Sequence, residues 1–338
     1  MSQSKSPILL GFLIALAFTS IASALNHDSM VSAVGGSETF PLVAKRNAAT
    51  LVVDARDHRG VHHAVTNLRA DVQRVTGIAP AVSPNLPTAG RRVVIGTLGQ
   101  SKVIDDLVAF QQLDVSAIEG RWEAFIISQV GPDLVVVGSD MRGTIYGVYE
   151  LSEQIGVSPW YWWADVPVKK STELYIDAAP GITDTGPGVQ YRGIFLNDEA
   201  PALTGWVHEK FGAFDHTFYT HVFELLLRLR ANYIWPAMWQ PRAFSADDPL
   251  NPKLADEYGI VVGTTHHEPL MRAHDEWSRE PRGPWDYTKN GAALREFWRG
   301  GVKRAKPYES IYSLGMRGDG DSAMSADTNT KLLERIVA

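Results

Sequence analysis

The chain has 338 residues, 45% of them hydrophobic and 21% charged, with a formal net charge of -6 and no cysteine. That length leaves room for two domains, the composition is that of a globular protein, and the mild acidity speaks against a nucleic-acid partner, which calls for clustered Lys and Arg. Without disulfides the fold must rest on buried apolar surface, and ten Trp and eleven Tyr supply it, with sugar stacking as a second use.

Residues 1–24 stand apart from the fold. Lys5, an apolar run from Ile8 to Phe18 and the small residues Ala22-Ser23-Ala24 have the layout of a secretory signal cleaved after Ala24. The apolar run is shorter than the ~20 residues of a spanning helix. The expectation is a secreted, extracellular protein with no membrane attachment once the signal is removed.

A polar segment, 25–45, leads into a small α/β domain at 46–178. LVVDARD at 51–57 and RRVVIGT at 91–97 are β-branched runs. Between them Val61, Val65, Leu68, Val72 and Val75 recur at helical spacing, and Gly77 stands as the stop. WEAFIISQV, Gly131-Pro132-Asp133 and LVVVGSD spell a hairpin. RGTIYGVYELSEQIG reads as a second helix and TELYID as a last strand. The aromatic run PWYWWADVP, Pro159 to Pro167, is read as packing in preference to a sugar platform. Gly96 and Gly99 do not complete a dinucleotide fingerprint and no P-loop lysine is present, so this domain is given no catalytic role.

Gly, Pro and Asp crowd a linker at 179–189. From 190 to 338 the period is strand, helix, strand, helix. The strands are expected at 191–197, 233–238, 260–265 and 311–315, the pattern of a parallel barrel or open parallel sheet. In such folds the βα loops at the carboxyl ends of the strands carry the site. Those ends read Asn197, Asp198 and Glu199; Trp235, Met238 and Trp239; His266, His267 and Glu268; Arg317, Asp319 and Asp321. Each set can hold a polar, cyclic ligand. Adjacent His266 and His267 at a strand end lack the helical i, i+4 spacing of a zinc protease, and the stretch from Asp319 lacks the Gly and Glu of a calcium loop, so no metal or cofactor is expected.

With these residues in place, the chain resembles glycoside hydrolase family 115, the xylan α-1,2-glucuronidases. The resemblance is carried by GVSPWYWWADVPV, YRGIFLNDEAPALTGWVHEKFG, NYIWPAMW, DEYGIVVGTTHHEP and RGDGD at Arg317 to Asp321. It implies an N-terminal α/β domain followed by a (β/α)8 barrel, and metal-free, inverting release of 4-O-methylglucuronic acid side chains from glucuronoxylan or its oligosaccharides. Asn197, Asp198, His267, Arg317 and Asp321 match family positions that line the pocket. An inverting enzyme needs an acid and a base with carboxyls ~6.5 to 9.5 Å apart, and Asp198 and Asp321 are the catalytic candidates. Arg317 and His267 suit the substrate carboxylate, Asn197 joins them, and Trp235 and Trp239 are candidates for stacking.

A full barrel takes about 250 residues, and the sequence beyond the linker is shorter. The chain is therefore expected to be an N-terminal portion of a longer enzyme, with four β-α units, the family's general acid further along, and any homodimer formed through later regions. Two other readings remain: a non-catalytic binder of xylan or uronic acid, and a hexosaminidase-like barrel enzyme using an Asp198-Glu199 pair.

Overall fold

The computed structural model of the chain describes residues 29–236, 238–266, 268–315, 317–318, 322–326 and 330–338. The expected signal at 1–24, and two of the candidate site residues, His267 and Asp321, lie outside the described residues.

The first half runs β1 (Val31–Ser32), β2 (Phe40–Ala44), β3 (Asn47–Ala48), β4 (Thr50–Val53), α1 (Arg59–Thr76), β5 (Val82–Ser83), β6 (Arg92–Thr97), α2 (Lys102–Ala109), β7 (Phe125–Val130), β8 (Asp133–Gly138), α3 (Met141–Gln154), β9 (Leu174–Ile176) and β10 (Ile182–Asp184). A six-stranded sheet has the order β10-β7-β8-β6-β4-β5, parallel from β8 to β5, and a smaller sheet is ordered β1-β9-β2-β3. The β-branched runs belong to strands covered on both faces. Val93, Ile95, Leu134 and Val136 point into the main core under α1 and α3, while Val94, Val135 and Val137 point into a second core with Ile104 of α2. All five valines and leucines expected on one face of α1 are buried, and Gly77 closes that helix in the left-handed conformation at φ 77°, its N–H on the Gln73 carbonyl.

Two stretches do more than expected. Residues 25–45 contribute β1 and β2, whose Phe40, Leu42 and Val43 are buried, and 179–189 contributes β10, antiparallel to β7. β1 and β10, of two and three residues, are too short to show alternation, and β2 is buried at Phe40, Leu42, Val43 and Ala44 so that it does not alternate either.

The second half runs β11 (Gly193–Leu196), α4 (Ala202–Phe211), α5 (His216–Arg228), β12 (Tyr233–Pro236), α6 (Phe244–Asp247), α7 (Leu250–Tyr258), β13 (Val261–Gly263), α8 (His274–Ser278), α9 (Tyr287–Ala305), β14 (Ser310–Ile311) and α10 (Thr330–Val337). β11, β12, β13 and β14 pair in that order, all parallel. Ile234 and Val262 face the helices and the main core. Tyr233, Trp235 and Phe195 face the other way. The Tyr233 ring lies over Gly263, where an added Cβ would fall 1.8 Å from its hydroxyl, and Phe195, 49% exposed, leans on Trp235 with ring centroids 4.9 Å apart.

One apolar core spans both halves, from Leu51, Val65 and Ile95 through Tyr146 and Tyr149 to Phe218 and Phe223. The aromatic run joins it: Trp163 donates from its indole to the His221 carbonyl at 3.3 Å and packs on Trp206, and Trp162 stacks on His221 at 4.1 Å. A buried ion network fastens the same seam. Glu123 takes Arg142 and Arg192 at 2.6 Å each and the Asn232 amide at 2.7 Å. Arg142 reaches on to the Gly259 carbonyl and Glu309, and Arg228 pairs with Asp71 at 2.8 Å. Close approach is part of the fit, since a Cβ on Gly60 would meet the Glu257 carbonyl at 2.7 Å.

Candidate functional site

Parallel strands present their carboxyl ends on one side of the sheet, and the residues following β11, β12 and β13 meet there. Asp198, two residues past β11, is only 1% exposed. Its carboxylate accepts from the Trp239 backbone N–H at 3.4 Å and pairs with Arg242 at 3.3 Å, while its carbonyl accepts from the Thr204 hydroxyl. Burial pushes this carboxyl above the usual range, and Arg242 with the Trp239 N–H offsets part of that rise. The Asp198 charge in turn adds to burial in raising the Tyr219 hydroxyl on α5.

Asn197 is exposed beside it. Its side-chain oxygen accepts from the Trp239 indole N–H at 3.1 Å and the Glu199 backbone N–H at 3.3 Å. The loop after β12 is thus laid across the end of β11. Arg242, over the Phe214 ring at 4.6 Å, and Arg279, whose guanidinium donates to the Pro241 carbonyl at 2.8 Å and pairs with Asp247 and Asp275, brace that loop.

Glu268, after β13, is 4% exposed. One carboxylate oxygen accepts from the Thr265 backbone N–H at 3.0 Å and from the Thr265 hydroxyl, and its carbonyl accepts from the Thr264 hydroxyl at 2.7 Å. Ser313, beyond β14, donates to the Thr264 carbonyl, and the Leu270 N–H donates back to the Ser313 carbonyl, knitting the two loops together. Burial pushes Glu268 up to about 7; the Thr265 donors pull it down and the Asp198 charge adds to the rise. Two neighbouring acids thus stand above their ordinary range at the ends of parallel strands, and Glu268 can hold a proton near neutral pH.

Of the sequence candidates, Asn197, Asp198 and Trp239 come together directly. Trp235 stands on the open face of β12, its buried indole N–H without a partner among the described residues. Arg317 sits beyond β14, bridged to Ala323, with its carbonyl accepting from the Trp285 indole at 2.8 Å. Two further residues belong to the cluster. Glu268 ends the third strand in the sequence pattern but was given no role there, and Arg242, in the stretch QPRAF, has no pattern to reveal it. Among the described residues no three His, Asp or Glu side chains are grouped so as to hold a metal ion.

Residues 184–338 match the sequence model of glycosyl hydrolase family 115. Among solved structures, the chain is similar to BtGH115A, described as a family GH115 4-O-methyl-α-glucuronidase with specificity for decorated arabinogalactans. The identity is 33% over 85% of this chain and 38% of that one, with a TM-score of 0.75. The chain therefore spans well under half the length of this relative. Flavobacterium johnsoniae chitobiase (14% identity, TM-score 0.41, 71% of this chain and 34% of that one) and a GH138 enzyme targeting pectin rhamnogalacturonan II (15%, 0.35, 64% and 24%) are too distant to carry an argument. No curated protein matches the chain.

Proposed function

Residues 184–338 belong to glycosyl hydrolase family 115, and on that premise we propose that the chain is part of a secreted glycoside hydrolase that removes (4-O-methyl)glucuronic acid side chains from a plant polysaccharide. In this reading the four parallel strands take the first four places in a (β/α)8 barrel, supported by their sequential order. The observation that carries the reading is the buried carboxylate of Asp198 at the end of the first of them, within the family match.

The chemistry is inversion at the anomeric carbon. A carboxylate takes a proton from water as its oxygen attacks that carbon, and a carboxylic acid on the other face gives a proton to the departing glycosidic oxygen as the C–O bond breaks. Asp198 and Asp321 are the candidates we assign as the carboxylate that activates water, with Asn197, His267 and Arg317 holding the uronic acid and Trp235 and Trp239 walling it. Glu268 adds a carboxyl near its midpoint at neutral pH, beside Asp198.

Glucuronoxylan is the substrate implied by the motifs. The specificity described for BtGH115A favours a second substrate, decorated arabinogalactan. Incubating the purified chain with each polymer and measuring free 4-O-methylglucuronic acid by anion-exchange chromatography separates the two. Uronic-acid binding without release from either polymer would leave the carbohydrate-binding reading standing beside this one, and release of N-acetylhexosamine from a hexosaminide would overturn it.

A further inference from the structure

The carboxamide of Asn197 has one oxygen, which accepts, and one nitrogen, which donates. Both groups that meet it, the Trp239 indole N–H at 3.1 Å and the Glu199 backbone N–H at 3.3 Å, can only donate. The oxygen must therefore be the arm facing them, whichever way the two similar arms are assigned. That leaves the nitrogen on the other arm, exposed at the strand ends, with two N–H groups that no described residue accepts from. Trp239 is itself held in place: its backbone N–H is on Asp198, and Arg242 and Arg279 brace its loop. Its ring is 42% exposed, so its donor is occupied while much of its surface remains open.

We propose that Trp239 is a positioning residue, whose indole N–H locks Asn197 as a pure donor and so tunes the site to ligand oxygens that only accept, a uronate carboxylate above a sugar hydroxyl. This rests on the uronic-acid reading and deepens it. A freely rotating amide would present its oxygen half the time, and that oxygen repels a carboxylate while it accepts readily from a hydroxyl. The lock removes the repelling state. The Glu199 N–H alone holds the oxygen less firmly, because it is the longer of the two contacts.

The test uses the full chain and two probes, 4-O-methylglucuronic acid and 4-O-methylglucose, by calorimetry. Trp239→Phe keeps a ring and deletes the donor. It should weaken uronate binding by about fivefold, the worth of one net hydrogen bond, and leave the neutral sugar within about twofold. Asn197→Asp keeps an oxygen for Trp239 and Glu199 but replaces the donor arm with a charged oxygen, and should abolish uronate binding while the neutral sugar still binds. An unchanged uronate-to-sugar ratio in Trp239→Phe overturns the proposal. If the wild-type chain binds no uronate, the family-based reading fails separately. The lock is then judged by the Asn197 side-chain amide pair in 15N NMR, which must shift in Trp239→Phe and overturns the proposal if it does not.

Discussion

Two sets of buried carboxylates, one in the seam between the halves and one at the strand ends, differ in their surroundings. Glu123, in the seam between the halves, meets two guanidiniums and an amide, all at 2.6 or 2.7 Å. Among the described residues, Asp198 meets one guanidinium at 3.3 Å, and the Glu268 carboxylate meets the N–H and hydroxyl of Thr265. In the seam the Glu123 carboxylate is matched by three donors, so it fastens the two halves. The strand ends are under-compensated, and there burial lifts the carboxyls toward neutral pH and hydrogen-bonding capacity stays unspent. The same ingredient makes a clasp in one setting and a site in the other, and the supply of nearby cations decides which.

Removing one side of the clasp should have the largest effect. Glu123→Ala strands the buried Arg142 and the half-buried Arg192 and is expected to cost about 3–5 kcal/mol in urea unfolding; a loss under about 1 kcal/mol would show the seam to be solvated. The strand ends should instead reveal themselves through pH. A carboxyl raised from 4.5 to about 7 in the folded state binds more protons there than in the unfolded chain across that window. Its contribution is complete below pH 4.5 and is lost as pH rises through 7, on the order of 3 kcal/mol in all. Glu268→Gln should flatten that slope, and a difference curve without slope between pH 4.5 and 7 would remove Glu268 from the comparison. Arg242→Met keeps a stem over Phe214 but leaves Asp198 without that cation; it should destabilise by about 2 kcal/mol at about pH 8, less at about pH 4, and move the Asp198 carboxyl further up in a 13C NMR titration. The smallest change in stability is expected for Asp198→Asn, within about 1 kcal/mol at neutral pH, since a neutral amide suits an under-compensated pocket. The same variant should abolish any release of uronic acid.

The two regions also differ in how far sequence reveals them. Helical spacing from Val61 to Val75, the β-branched strands and the β-α period beyond residue 190 all reflect burial that repeats along the chain, and such repetition is visible without coordinates. α4 escaped notice because only Val207 in it is buried, leaving no apolar stripe, and α2 because only Ile104 is. At the site, Asn197 and Asp198 stood out by following an apolar strand, a local signal. Arg242 joins Asp198 across 44 residues of sequence, and the midpoint of Glu268 depends on how deeply a loop is buried. Neither quantity is written in any short window of residues. The clasp at Glu123 was equally hidden, because its partners lie 19, 69 and 109 positions away.

The guanidinium of Arg279 gives the strand ends a sensitivity that the seam lacks. It is 38% exposed, as is much of its partner Asp247, yet it holds the Pro241 carbonyl and with it the loop that carries Trp239 and Arg242. Ions at physiological strength screen exposed charges over about 8 Å, while the enclosed pairs around Glu123 are shielded from them. Rising ionic strength is therefore expected to loosen the loop after β12 before it touches the seam.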